Sequence, residues 1–304
     1  MILKGQNFRI LTYNATNEHW KVIGMATNCT VTINSNTEDA SHKDIVGMAA
    51  NPAVVSNNWS VQVDSLDVAD VGAILTAIKN SKQFKLRWDE TFTIDNQGLA
   101  PQTYGRTGMA YLNDATFQFD NRTNSTKGLQ FTGSGPLTTP DSGDVDEDSY
   151  TPGSFTKGQF VRLFLASDNT ATPVSVLGSA LTLALHVSVT LEEVSTKDTD
   201  GNWQVQEPTG ISYDISTSAL IRGGDTITSS VGAKGLADLE DIQEAGEPVK
   251  WQIANVSGAN QRTKGTIIAS GSALIQNLQI QGPNRQNAQY TASLVGVGAF
   301  TVGS

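Results

Sequence analysis

The chain has 304 residues, is 38% hydrophobic and only 16% charged, and contains 28 glycines. Length alone allows one large or two medium domains, and low charge with many turn formers suits an all-β protein. A net charge of −10 argues against direct reading of a DNA groove, which basic surfaces perform. The longest apolar runs fall short of the roughly 18–20 residues that cross a bilayer as a helix. Met1-Ile2-Leu3-Lys4 lacks the apolar stretch and cleavage site of a signal peptide, so no secretory leader is expected. Cys29 is the single cysteine, which excludes an intrachain disulfide and makes a reducing site of synthesis the default. The sequons at Asn28 and Asn58 are then incidental, because glycosylation needs the secretory route.

In chain order, residues 3–11 read as a strand, 14–18 as a polar turn, and 21–33 as strand again, ending in the alternation Cys29-Thr30-Val31-Thr32-Ile33. Residues 34–56 are polar, contain Gly47 and Pro52, and are expected to form a long loop of the kind that usually carries function. Trp59-Ser60-Val61-Gln62-Val63 alternates as a strand. Val68, Val71, Ile74, Leu75 and Ile78 recur at helical spacing behind Asp67, which predicts a capped helix over 67–79. Strands are expected at 84–88, 107–119 and 128–137, the last two around the polar turn 120–127.

The second half repeats this order. Lys157-Gly158-Gln159-Phe160-Val161-Arg162 echoes Lys4-Gly5-Gln6-Asn7-Phe8-Arg9 at an offset of 153, and Ser195-Thr196-Lys197-Asp198 echoes Ser41-His42-Lys43-Asp44 at 154. Strands are expected at 160–165 and 181–191, and a second long polar loop at 192–209. Tyr213-Asp214-Ile215 falls where Trp59-Ser60-Val61 stood. Leu236, Leu239 and Ile242 predict the second helix. Residues 249–253 match 84–88 at an offset of 165, and 271–300 match 108–137 at 163, so that Gly296-Val297-Gly298 meets Gly133-Ser134-Gly135. An offset held over such distances marks one module used twice, 1–137 and 156–304. Between them, 138–155 is rich in Pro, Gly, Ser and Asp, carries five acids and no base, and is expected to be a solvated linker.

Chemistry is sparse. His19, His42 and His186 have no metal-ligand spacing, and Cys29 has no nearby partner, so neither a metal nor another cofactor is expected. Ser41-His42-Lys43-Asp44 holds the residue types of a hydrolase triad, but neighbours on an extended chain point apart, and Thr196 replaces His42 in the second copy. Gly133-Ser134-Gly135 lacks the Lys and following helix of a phosphate loop and reads as a tight turn or bulge that glycine permits. The acids of 138–155 lack the ordered Gly and terminal Glu of a calcium loop and read as a solvated charge run. The Lys-Asp pair that recurs as Lys43-Asp44 and Lys197-Asp198 admits two readings: a local ion pair of little energetic weight, or a surface that each module presents to a neighbour.

The loop Ser195-Thr196-Lys197-Asp198 followed by Gly201-Asn202-Trp203 resembles the tail tube proteins of tailed bacteriophages. So does the order that follows it, of an aromatic-led strand, one helix, a strand, and a strand pair closing on Gly-x-Gly. The first copy departs from the motif, with His42 for Thr196 and no Trp soon after Asp44. The resemblance implies a mainly β fold: two tandem β-sandwich or barrel modules, each with one flanking helix and a long stacking loop. It implies six modules to a ring, sheets joined across subunits, and rings stacked into a tube for viral DNA, made in the bacterial host cytoplasm and ending in the virion. Three chains would then supply the six modules. The long loops would reach the next ring through His42, Lys43, Asp44, Lys197, Asp198 and Trp203. Partners implied are further copies of the chain, tail terminator and distal tail or baseplate proteins, and the tape measure protein and DNA in the lumen, with no membrane. An acidic lumen would let DNA slide. No enzyme activity is expected. Two other classes stay open: a tandem β-sandwich binding module such as a fibre or adhesin, and a carbohydrate-active β-sandwich, which would need paired carboxylates. Within the leading class, the tube of a contractile tail or secretion machine also fits.

Overall fold

A computed structural model describes residues 5, 8–15, 18–42, 51–66, 70–89, 105–139, 145–146, 156–199, 201–221, 233–257 and 263–303. The described residues are mainly β, with two short α-helices and one 3-10 turn at Gly158–Phe160. The first half holds β1 (Arg9–Asn14), β2 (His19–Val22), β3 (Ala26–Asp39), β4 (Pro52–Ser65), α1 (Val71–Lys79), β5 (Gln83–Asp89), β6 (Gly105–Gln118) and β7 (Thr126–Gly133). After β8 (Val145–Asp146), the second half holds β9 (Val161–Leu165), β10 (Ser175–Leu177), β11 (Ala180–Glu193), β12 (Gln206–Leu220), β13 (Ala233–Lys234), α2 (Leu236–Ala245), β14 (Val249–Ser257), β15 (Thr263–Gln281) and β16 (Gln289–Val302).

Hydrogen bonding gives both halves the same order. Neighbours run β2-β1-β5-β6-β7-β4-β3 in the first and β10-β9-β14-β15-β16-β12-β11 in the second. Even the two-residue strands correspond: β8 lies parallel to β2, and β13 parallel to β10. The main core cluster runs through both halves, with two smaller clusters beside it, one of Phe164, Val176, Ala254 and Val256 and one of Leu11 and Trp20. The main cluster is filled by alternate positions of the long strands, such as Trp59, Val61 and Val63 on β4 or Leu183, Leu185 and Val187 on β11, all buried. Helix α1 buries Val71, Ile74, Leu75 and Ile78, the stripe that its spacing anticipates. It starts after Asp70, while Asp67 lies outside the described residues. Helix α2 buries only Leu239 and Ile242. Its first turn is closed by the Asp238 carboxylate, which accepts a hydrogen bond from the Gly235 N–H at 2.8 Å.

The polar loop expected over 34–56 is mostly ladder. β3 and β4 pair from Ala26/Ser65 out to Asp39/Pro52. Hydrophobic alternation fades there because both faces are exposed, and cross-strand polar pairs hold the ribbon instead. Asn34 Nδ2 donates to Asn58 Oδ1 at 3.3 Å, Ser35 Oγ to Asn57 Oδ1 at 2.7 Å, and Asn36 Nδ2 to Ser56 Oγ at 2.7 Å. β3 ends at Asp39 and β4 begins at Pro52, with Ala40 N donating to Asn51 O at 2.8 Å, and residues 43–50 of the expected loop lie outside the described residues. Likewise β11 and β12 pair out to Glu193/Gln206, leaving 194–205. The acidic stretch 138–155 is held at its described points rather than wholly free: Thr138 pairs with Thr107, and β8 with Trp20 and Lys21.

Candidate functional site

The feature with most bearing on function is where the halves meet. Strand β11 joins the first half's sheet by pairing antiparallel with β6, in the register Ala184/Gln118, Leu185/Phe117, His186/Thr116, Val187/Ala115 and Ser188/Asp114. Strand β5 covers only residues 105–111 on that edge of β6, so 114–118 are left for β11. Leu185, Val187, Phe117 and Ala115 are buried on the core side of this joint.

On its polar side His186 bridges the halves. Its Nε2 lies 2.6 Å from Asp114 Oδ2 and its Nδ1 2.7 Å from Asp214 Oδ1. Partial burial opposes the charged imidazole, but hydrogen bonds to Asp114 and Asp214 and the charge of both carboxylates outweigh it, so the pKa is raised above its ordinary value. The stabilisation this brings is fully present below the unfolded imidazole value of about 6.5, and is lost as pH rises through the higher folded value. The ring is about a third exposed, so solvent screens the pair. His186→Thr, with the residue that stands at the matching Thr32, is expected to cost about 1 kcal/mol at pH 5.5 and close to nothing at pH 9. Urea denaturation at the two pH values reads the difference directly.

The tip of the second hairpin adds a further contact. Trp203 lies beside Asn57 of the first half as an isolated bridge, with Gln204 N donating to Asn57 O at 3.0 Å. Gly135 N donates to Gln204 O at 2.8 Å, and Gln206 N to Ser134 Oγ at 3.0 Å. Trp203 is half-buried here against the core. It thus faces the other half of its own chain. Lys197 and Asp198 are exposed at the same tip, on a turn shaped by Thr196, whose Oγ accepts from Asp198 N at 3.3 Å. His42 is also exposed, and Lys43 and Asp44 lie outside the described residues.

The repeated serine of the motif has a structural role that spacing alone does not reveal. Ser41 Oγ accepts from Asn51 N at 3.0 Å, and Ser195 Oγ from Val205 N at 2.9 Å, so both tips are tied at the same point of the base. The Gly-x-Gly ends split into two causes. Gly135 and Gly298 have positive φ, of 90° and 70°, as a turn requires. Gly133 and Gly296 are instead places of close approach. A Cβ on Gly133 would stand 2.2 Å from the Trp59 indole, and one on Gly296 2.4 Å from the Tyr213 ring.

Among the described residues no group of three or more His, Cys, Asp or Glu side chains could hold a metal ion. Nor is any described helix long and apolar enough to cross a membrane. On the polar faces of β4, β6, β7, β11 and β12 near the joint, the charged positions are Asp64, Asp114, Asp214 and His186, without Lys or Arg.

These observations define a class: a β-rich chain whose halves assemble edge to edge by adding a strand of one to the sheet of the other. Residues 159–302 match the sequence model of the family described as phage tail tube protein. Among solved structures, a chain of the virion of a native gene transfer agent particle aligns with 49% of this chain and 99% of its own length, at 16% identity and a TM-score of 0.35. A chain from the tail of an empty particle of that agent, computed with six-fold symmetry, covers 48% and 95%, at 16% identity and 0.35. A chain of the SPP1 tail tube covers 48% and 78%, at 18% identity and 0.33. A comparison with curated proteins finds no match.

Proposed function

We propose that the chain is the subunit of a phage tail tube, a structural protein of the virion without catalytic activity, in which residues 1–137 and 156–304 act as two modules of one kind joined by 138–155. The observation that carries this reading is the joint between β11 and β6: one module already completes the sheet of another, in the manner a ring of such modules needs. The shared strand order of the two halves supports the equivalence of the modules. Six modules per ring, as the resemblance implies, come from three chains, so the ring has true three-fold and approximate six-fold symmetry. Rings stack, and the bore passes viral DNA around a tape measure protein, with terminator and distal tail proteins at the ends. The acids on the polar sheet faces, free of Lys and Arg near the joint, suit a bore that repels phosphate.

The tips carrying His42, Lys43, Asp44, Lys197 and Asp198 are proposed to touch the next ring, while Trp203 secures its tip to the neighbouring module. Purified protein is expected to form hollow tubes, and a reconstruction without imposed six-fold symmetry to show three chains per ring. Six whole chains per ring would overturn the equivalence of the modules, and a monomer without tubes would favour a binding module. Lys43→Glu with Lys197→Glu is expected to leave folded rings that no longer stack into long tubes. Tubes of normal length from this variant would remove the tips from the ring-to-ring contact.

A further inference from the structure

The geometry around His186 fixes how many protons its ring carries. Its Nε2 lies 2.6 Å from Asp114 Oδ2 on β6, and its Nδ1 lies 2.7 Å from Asp214 Oδ1 on β12. A carboxylate accepts hydrogen bonds and donates none, and a neutral imidazole has a single N–H. Both contacts therefore hold together only when both ring nitrogens are protonated. With one proton gone, a nitrogen lone pair faces a carboxylate oxygen with no hydrogen between them, and two acceptors that close repel.

The two contacts are not alike. Asp214 stands directly across from His186 on the hairpin of β11 and β12, which pairs from Ala180/Ala219 out to Glu193/Gln206. Asp114 stands diagonally, opposite Ser188, across a joint that runs only from Ala184/Gln118 to Ser188/Asp114. The hairpin is the stiffer support. A neutral ring keeps its proton on Nδ1 for Asp214 and loses Asp114, so the contact that fails is the one between the halves.

Among the described residues, no other group on these faces replaces the lost charge. Asp64 on β4 is also an acid. Lys127 lines the same cleft as Asp64 and Asp114, but its Nζ is paired with Asp70 at 2.6 Å. Beside Asp114 and Thr116, β7 brings Gln130 and Gly128, and beside Asp214, β16 brings Val295 with Ser293 next on that face. The three residues belong to the joint and not to the module. Carried across the repeat, Asp114 falls on Asn277, His186 on Thr32 and Asp214 on Ser60, and the two halves share one strand order regardless.

We propose that His186 is a proton-operated lock between the two halves. Doubly protonated, it ties β12, β11 and β6 together; singly protonated, it stays with β12 and frees the polar side of the β11–β6 joint. The lock is closed at low pH and opens as pH rises through the folded imidazole's value. Leu185 and Val187 still pack with Ala115 and Phe117 on the core side, so the halves flex about the joint and do not part. Every group involved lies in one chain, so the lock operates whether or not chains assemble into a tube.

Two measurements test it. In chain labelled with ¹⁵N at histidine, solid-state NMR reads the protonation of each ring nitrogen, and His186→Thr identifies the signal. At pH 5.5 both nitrogens of His186 are expected to carry protons, and at pH 9 only Nδ1. A neutral ring at pH 5.5, or a proton kept on Nε2 at pH 9, would overturn the lock. The second measurement reads opening of the joint. In a Cys29→Ser background, Val187→Cys places a thiol in the buried side of the joint, and Val61→Cys places one in the core of the first half. The ratio of their labelling rates with iodoacetamide cancels the common rise in thiolate with pH. That ratio is expected to grow about fivefold from pH 5.5 to pH 9. Asp114→Asn keeps a partner for either form of the ring, since an amide both donates and accepts. In that variant the ratio is expected to stay flat. A flat ratio in the parent, or the same growth with Asp114→Asn, would also overturn the lock.

Discussion

Gly133→Ala is expected to lower stability by about 3 kcal/mol, an unusually large effect for one added methyl group. The new Cβ would stand 2.2 Å from one atom of the Trp59 ring and 2.4 Å from two more. The ring has nowhere to go. Trp59 is 2% exposed, its Nε1 donates to Gly135 O at 3.1 Å, and it packs against Trp88 with ring centroids 5.8 Å apart. Relief would need the indole to leave its rotamer or β7 to part from β4, and both lose buried contacts. Urea denaturation should show a lower midpoint with an unchanged slope. Trp59→Phe offers a smaller ring, so the cost of Gly133→Ala should shrink in that background. A loss that stays the same there would mean that Gly133 serves the backbone and not the ring.

Asp70→Ala is the second change with a large expected effect, of about 2 kcal/mol. Lys127 projects to the core side of β7, 1% exposed, and its Nζ meets Asp70 Oδ1 at 2.6 Å at the start of α1. Removing the carboxylate leaves an ammonium inside without its counter-charge, which for a fully buried pair costs about 3–5 kcal/mol. Asp70 itself is 48% exposed, so water reaches that end of the pair and the lower figure is appropriate. Lys127→Met in the same chain should recover most of the loss, because the apolar side chain fills the same space without a charge. If the double variant is as unstable as Asp70→Ala, the carboxylate acts on the helix end instead.

Much of the fold is legible in residues whose burial follows a simple period. Val71, Ile74, Leu75 and Ile78 mark α1, and Trp59, Val61 and Val63 mark β4, because one face of each is buried and the other is not. The outer halves of β3 and β4 escape this reading. From Asn34 to Asp39 most side chains are polar and exposed on both faces, so no apolar period exists to detect, and Asn, Ser and Thr suggest loop while their side chains bond across the ribbon. The candidate site was legible only in part. The Lys-Asp motif points to the hairpin tips, but what repeats for a structural reason is the serine before it. His186, Asp114 and Asp214 are 72 and 28 residues apart. No local spacing links them, and they become neighbours only through the pairing of β11 with β6. Trp203 shows the same limit, since a residue inside a polar loop gives no sign of which neighbour it will face.

Tethering both partners of the β11–β6 joint in one polypeptide changes its concentration dependence. Two separate modules would associate bimolecularly and fall apart on dilution, but tethered ones meet at an effective concentration in the millimolar range. Dilution therefore leaves this joint closed. Subunit concentration governs only contacts between chains, so a ring of six modules built from three chains would take two concentration-dependent encounters, where six separate modules would take five.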